Sequence, residues 1–161
     1  MTPKWNVNLG KHSLYSSCCE APFAGVGDRA NPAFSRQPSF LIVDDNADCR
    51  KVLRAIFEKE GYYCIEAADG IEALKVFAGQ SVDCILTDFD MPNMNGCEFL
   101  EVLSREAMSL PPAVMITGNL SDKLQKRATC AGALAIIFKP VGVQNLLAIL
   151  QSVVGTRRDH L

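Results

Sequence analysis

Four apolar runs in this 161-residue sequence each stop at side chains able to do chemistry. Phe40 to Val43 runs into Asp44-Asp45, and Cys84 to Thr87 into Asp88. Ala113 to Ile116 runs into Thr117, and Leu134 to Phe138 into Lys139-Pro140. Brought together, three carboxylates, a hydroxyl and an ammonium restrict the possible chemistry sharply. Carboxylates about 5 Å apart repel by roughly 3 kcal/mol per pair at an effective dielectric near 20. Such a cluster needs a cation, a shared proton or solvent, and all-oxygen ligands with room for water suit Mg2+ or Mn2+. A divalent ion there neutralises an incoming phosphoryl group, Lys139 pairs with its oxygens, and the Thr117 hydroxyl hydrogen-bonds one. The chemistry that fits is formation of an acyl phosphate on one aspartate.

The elements around these residues explain how they meet. From Phe40 onward, strand and helix signals alternate, five of each. Val52, Leu53, Ile56 and Phe57 recur at helical spacing before Gly61 stops the run. Tyr62 to Ala67 is rich in β-formers, and Asp69-Gly70 is a turn signal ahead of a stripe of Ile71, Leu74 and Phe77. Phe99, Leu100 and Leu103 stripe a third helix, Leu120, Leu124 and Ala128 a fourth, and Leu146, Leu147, Leu150 and Val154 a fifth. The fold class this implies is α/β, a five-stranded parallel sheet with helices on both faces. Sites in such sheets form beyond the carboxyl ends of the strands, so the four chemical positions converge on one edge.

Charge and composition exclude several other functions. Sixteen basic and eighteen acidic residues leave −2, without the basic excess expected of a nucleic-acid binder. No apolar run approaches the roughly 18 residues that span a bilayer, and the first residues lack a signal-peptide pattern. A cytoplasmic protein with no direct nucleic-acid or membrane partner is expected. The seven cysteines include no C-x-x-C pair, so reduced, mostly buried thiols are expected rather than zinc or disulfides. Residues 1–38 hold four of the eight prolines and carry Lys4, Lys11, Arg29 and Arg36 against Glu20 and Asp28. They read as a flexible leader; the alternative is a docking segment using Trp5, Leu14, Tyr15, Phe23 and Phe34.

Taken in order, Asp44-Asp45, the stretch Leu86-Thr87-Asp88-Phe89-Asp90-Met91-Pro92-Asn93-Met94-Asn95-Gly96, Ile116-Thr117-Gly118 and Phe138-Lys139-Pro140 resemble the receiver domain of two-component response regulators. The resemblance covers residues 39–154 and leaves 155–161 as a short tail. It implies the flavodoxin-like strand order 2-1-3-4-5. It also implies that Asp88 is the phosphoacceptor for a sensor histidine kinase or histidine phosphotransfer protein. Mg2+ would be held by Asp45, Asp88 and the backbone carbonyl of Asp90, with Asp44 acting largely through water. Thr117 and Lys139 would bind the phosphoryl oxygens. The protein would not be an enzyme beyond its own phosphorylation and slow dephosphorylation. A stand-alone receiver is expected. It would signal to a downstream protein through the face of helix four, strand five and helix five, or relay its phosphoryl group onward.

Two rivals differ in class. A phosphorylation-independent pseudo-receiver would bind a partner without chemistry, and the intact acidic set argues against it. A haloacid dehalogenase-like phosphatase shares Asp88-Phe89-Asp90, Thr117 and Lys139, but there the D-x-D motif opens the domain, whereas here Asp44-Asp45 precedes it. Departures from the family pattern are informative too. Ile136 stands three residues before the lysine, where Tyr or Phe is usual, which breaks the usual coupling between threonine and aromatic ring. Gly118 keeps the approach to Asp88 open. Asp90 adds a carboxylate near the site and is expected to alter the lifetime of the phosphorylated state. Dephosphorylation rates of wild type and Asp90→Asn should therefore differ by at least about twofold; equal rates would remove that role.

Overall fold

The computed structural model describes residues 37–107, 109–118 and 121–155. Leu120, the tail from 156 and all but the last two residues of the expected leader lie outside them. Strands and helices alternate as β1 (Ser39–Val43), α1 (Ala47–Lys59), β2 (Tyr63–Ala67), α2 (Gly70–Gly79) and β3 (Cys84–Asp88), followed by α3 (Gly96–Glu106), β4 (Ala113–Thr117), α4 (Asp122–Cys130), β5 (Ala133–Phe138) and α5 (Val143–Gly155). All strand pairs are parallel, in the order β2-β1-β3-β4-β5. This is the flavodoxin-like order expected from the resemblance.

Local chemistry sets where the helices begin. Asn46 caps α1 by accepting from the backbone N–H groups of Asp48 and Cys49. Asp69 caps α2 and Ser121 caps α4, each accepting from the third residue beyond it. Asn95 and Glu98 exchange reciprocal bonds in a capping box at α3. Each cap contributes about 1 kcal/mol and fixes the register at which the preceding loop hands over to the helix. Three of these loops follow the strand ends that carry Asp44, Asp88 and Thr117. At the other end of α1, Gly61 takes φ +84°, the left-handed conformation that ends a helix at lowest cost in glycine.

Successive residues of a strand point to opposite faces, so the sheet divides the interior into two layers. Phe40, Ile42, Leu86, Val114 and Ile137 pack with Phe57 of α1 and with Leu146 and Leu150 of α5. Leu41, Val43, Ile85 and Met115 pack on the other side with Ala73, Phe99, Leu100, Leu124 and Ala128 of α2, α3 and α4. The three central strands are buried at every position, as their unbroken apolar runs predict. The edge strands differ, with Tyr63 and Leu134 exposed.

Two helical stripes also turn out narrower than the sequence suggests. Val52 is 59% exposed and Ile71 is 42% exposed. Val52 lies five positions before the buried Phe57, about 140° away around the helix. Ile71 lies two positions before Ala73, about 160° from it by the same geometry. Phe57 and Ala73 mark the true core faces.

Among the described residues the cysteines are free; Cys64, Cys84 and Cys97 are buried, Cys49 is half-buried and Cys130 is exposed. Burial pushes the Cys64 and Cys97 thiols up to about 11. Since the thiolate is the reactive species, only about one part in a thousand of each is nucleophilic at pH 8. In the folded protein at pH 8, iodoacetamide should label Cys130 at least about 100-fold faster than Cys64 or Cys97, with the gap closing in urea. Peptide mass mapping of the time course checks this, and equal labelling of the three would contradict the burial.

Candidate functional site

Strand register brings the four chemical positions together. Val43 lies beside Thr87, Asp88 beside Ile116, and Thr117 beside Phe138, so Asp44, Asp88, Thr117 and Lys139 end up along one edge of the sheet. Beyond the ladder, Phe89 N donates to Ile116 O at 2.9 Å, and Lys139 N to Thr117 O at 2.9 Å. These last bonds lock the loops after β3 and β5 to the end of β4. Asp44 and Asp88 are only 3% and 7% exposed and Thr117 is fully buried, whereas Asp45 and Asp90 face solvent.

At the centre is an ammonium shared between two carboxylates. Lys139 Nζ lies 2.8 Å from Asp88 Oδ1 and 3.4 Å from Asp44 Oδ2. The other oxygen of Asp44 accepts from the Asn46 backbone N–H at 2.8 Å. Burial raises the Asp88 carboxyl above its usual range; the Lys139 bond and charge pull it back, and Asp44 and Asp90 push it further up. Burial alone would lower Lys139, but its bond to Asp88 and the charges of Asp88 and Asp44 outweigh that and hold it above its ordinary value.

Carboxylate oxygens of Asp44, Asp45 and Asp88 lie within 4.8 Å of one another. Three close carboxylates, part buried and part open to water, are a donor set suited to a hard divalent cation that keeps some of its water. The Asp90 side chain is not in that cluster, although its charge is felt at Asp88.

The loop from Asp88 to Gly96 is held from several sides. Thr87 Oγ1 donates to the Asp88 carbonyl at 2.9 Å, and Gly96 N donates to Phe89 O at 3.1 Å. A Cβ at Gly96 would collide with the Asp88 carbonyl oxygen, so only glycine fits where α3 starts. Asn93, with φ +64°, reaches across to Asp69 Oδ2 at 2.8 Å. Among the described residues, chain neighbours aside, no atom lies within 4 Å of where a Cβ on Gly118 would stand. Ile136 is half-buried against the core layer of α2, α3 and α4.

Sequence reasoning anticipated which residues gather here but missed two of their contacts. One is the Lys139–Asp44 bridge, invisible because the two are far apart in the chain. The other is Arg50, whose Nη1 donates to the Asp44 carbonyl at 2.6 Å. The Asp44-to-Asn46 bond had a local signal, since an aspartate two residues before a turn amide forms such a loop readily.

Comparison with known proteins agrees with this geometry. The family model for the response regulator receiver domain matches residues 40–151. The chain belongs to that family. A receiver domain protein of the CheY-like type from Methanospirillum hungatei is similar in structure, with a TM-score of 0.74 and 28% identity over 78% of this chain and 100% of that one. Chemotaxis protein CheY4 of Vibrio cholerae gives a TM-score of 0.69 and 31% identity, covering 73% of this chain and 99% of its own. In sequence, the receiver is 36% identical over 124 residues to a probable transcriptional regulator, ycf27, of Cyanidium caldarium, covering 76% of this chain and 49% of that protein. It is 33% identical over 109 residues to the sensor kinase/phosphatase CqsS of Vibrio cholerae, covering 66% of this chain and 16% of that protein. The chain thus spans less than half the length of these curated relatives. No helix among the described residues is long and apolar enough to cross a membrane.

The shared ammonium sets a pH dependence. Removing it from the receiver leaves Asp88 beside Asp44 with no compensating cation, and raises the proton affinity of Asp88 further in the folded state. A folded state that binds more protons than the unfolded chain loses stability as pH rises. Lys139→Ala should therefore cost about 1–2 kcal/mol at pH 7, less than a fully buried pair because the lysine is partly exposed. The deficit should shrink toward zero below pH ~3, where the Asp88 carboxyl is protonated in either state. Urea unfolding in EDTA at the two pH values checks this; a deficit that grows on acidification would contradict it.

Proposed function

We propose that this receiver is a phosphorylation-dependent signalling protein whose Asp88 accepts a phosphoryl group from a sensor histidine kinase or histidine phosphotransfer protein. The observation that carries this is the 2.8 Å pair between Lys139 Nζ and Asp88 Oδ1 beside the Asp44–Asp45 carboxylates. An Asp88 oxygen forms the new bond to phosphorus while the bond from phosphorus to the donor nitrogen breaks. Asp45, Asp88 and the Asp90 backbone carbonyl would hold Mg2+, whose charge would offset that of the phosphoryl oxygens. Asp44 has both oxygens engaged already, by Lys139 and by Asn46 N–H, which suits a role through water.

The chain's own groups do the rest. Lys139 is already at Asp88 and meets the charge that develops as the phosphoryl group arrives. Thr117, buried at the end of β4, supplies its hydroxyl to a phosphoryl oxygen. Burial of Asp88 restricts water at the acyl phosphate, so its loss is slow. The protein turns over no separate substrate. Its output is a change of conformation read by a protein on the α4–β5–α5 face, or relay of the phosphoryl group. Free thiols suit work in the reducing cytoplasm.

Incubation with acetyl phosphate and Mg2+ should add one phosphoryl mass to wild type and none to Asp88→Asn, and EDTA should abolish the gain. Intact-protein mass spectrometry reads all three. A wild type that stays unmodified with both acetyl phosphate and a phosphorylated histidine donor would overturn the reading in favour of a pseudo-receiver.

A further inference from the structure

We propose that Arg50, oriented by Glu66, is a positioning residue that fixes the peptide between Asp44 and Asp45 and thereby the cation affinity of the acidic cluster. The inference rests on the phosphoryl-transfer reading of the same site. Arg50 Nη1 donates to the Asp44 carbonyl at 2.6 Å, while its Nε donates to Glu66 Oε2 at 3.2 Å. One planar guanidinium thus ties the end of β1 to the penultimate residue of β2. The other Glu66 oxygen, Oε1, accepts from Arg54 Nη1 at 2.8 Å, which leaves Oε2 to Arg50.

That peptide matters because Asp44 and Asp45 are held differently. The Asp44 side chain is anchored by Lys139 and by Asn46 N–H. Asp45 is exposed, so its carboxylate takes its place from the backbone. The Asp44 carbonyl and the Asp45 N–H belong to one rigid plane. Holding the carbonyl therefore sets the direction in which the chain carries Asp45 toward Asp88. The fork geometry needs arginine: lysine offers a point charge that reaches one acceptor or the other without the fixed angle between them. Arg54 is the internal control, since it pairs with Glu58 and Glu66 but has no bond to the acidic turn.

Two readouts test this on the full chain. The first needs no metal. By NMR in EDTA, hydrogen exchange at the Asp45 and Asn46 amides should speed up at least about tenfold in Arg50→Met and stay unchanged in Arg54→Gln. The second is calorimetric titration with Mg2+. Arg50→Met should weaken binding about 10–100-fold, the usual effect of losing a group that orients a metal ligand. Arg50→Lys should fall between Arg50→Met and wild type, and Arg54→Gln should stay within about twofold of wild type. At saturating Mg2+, the rate with acetyl phosphate should return to within about threefold of wild type. Should Arg50→Met fail to fold, Glu66→Gln decides, with the same directions at about a third of the effect. Unchanged exchange at Asp45 and Asn46, or equal losses in Arg50→Met and Arg54→Gln, would overturn the proposal. A wild type that binds no Mg2+ would instead overturn the phosphoryl-transfer reading, and the exchange arm alone would then decide the role of Arg50.

Discussion

The site depends on a single ammonium group poised between two buried carboxylates. Without Lys139, Asp44 and Asp88 would be like charges at the edge of the sheet with no cation between them, an arrangement that destabilises the fold by about 1–2 kcal/mol. With it, the ammonium pairs with Asp88 Oδ1 at 2.8 Å and lies 3.4 Å from Asp44 Oδ2. Much of the surrounding structure serves that contact. The ladder between β4 and β5 delivers Lys139 to the right height, and the Lys139 N to Thr117 O bond holds it there. The Thr87 hydroxyl and the bare Cα of Gly96 fix the Asp88 carbonyl, so the carboxylate cannot drift from its partner.

The same arrangement explains why the acidic cluster is asymmetric. Asp44 is buried with both oxygens engaged, Asp88 is buried and paired with Lys139, and Asp45 stands open to solvent. A cation arriving from water would meet the exposed carboxylate first. The three oxygens differ in burial by design of the backbone rather than by residue type. Identical side chains acquire distinct duties from where each strand ends.

The strand ends were legible in the sequence because a central parallel strand is apolar throughout and stops abruptly at a polar residue. Asp44, Asp88 and Thr117 each mark such a stop, Lys139 ends the edge strand β5 in the same way, and strand alternation with helices was enough to place all four on one edge. The edge strands were harder to read, since Tyr63 and Leu134 are apolar yet exposed, and composition alone does not distinguish the edge of a sheet from its middle. Val52 and Ile71 misled for a related reason: periodicity counts apolar residues without knowing where the helix axis points. The Lys139–Asp44 bridge and the Arg50–Glu66 clasp depend on distances between strands, which linear spacing does not encode.

The sheet's division of the interior into two layers reaches beyond stability. Phe57, Leu146 and Leu150 share one layer, Phe99, Leu100 and Leu124 the other, with the backbone of the sheet between them. A substitution in one layer is therefore absorbed by its own neighbours and leaves the other untouched. Over generations the two layers can drift at separate rates, each trading side chains within its own volume. Only the row of polar residues at the sheet edge belongs to both histories, and only there must changes on the two faces keep step.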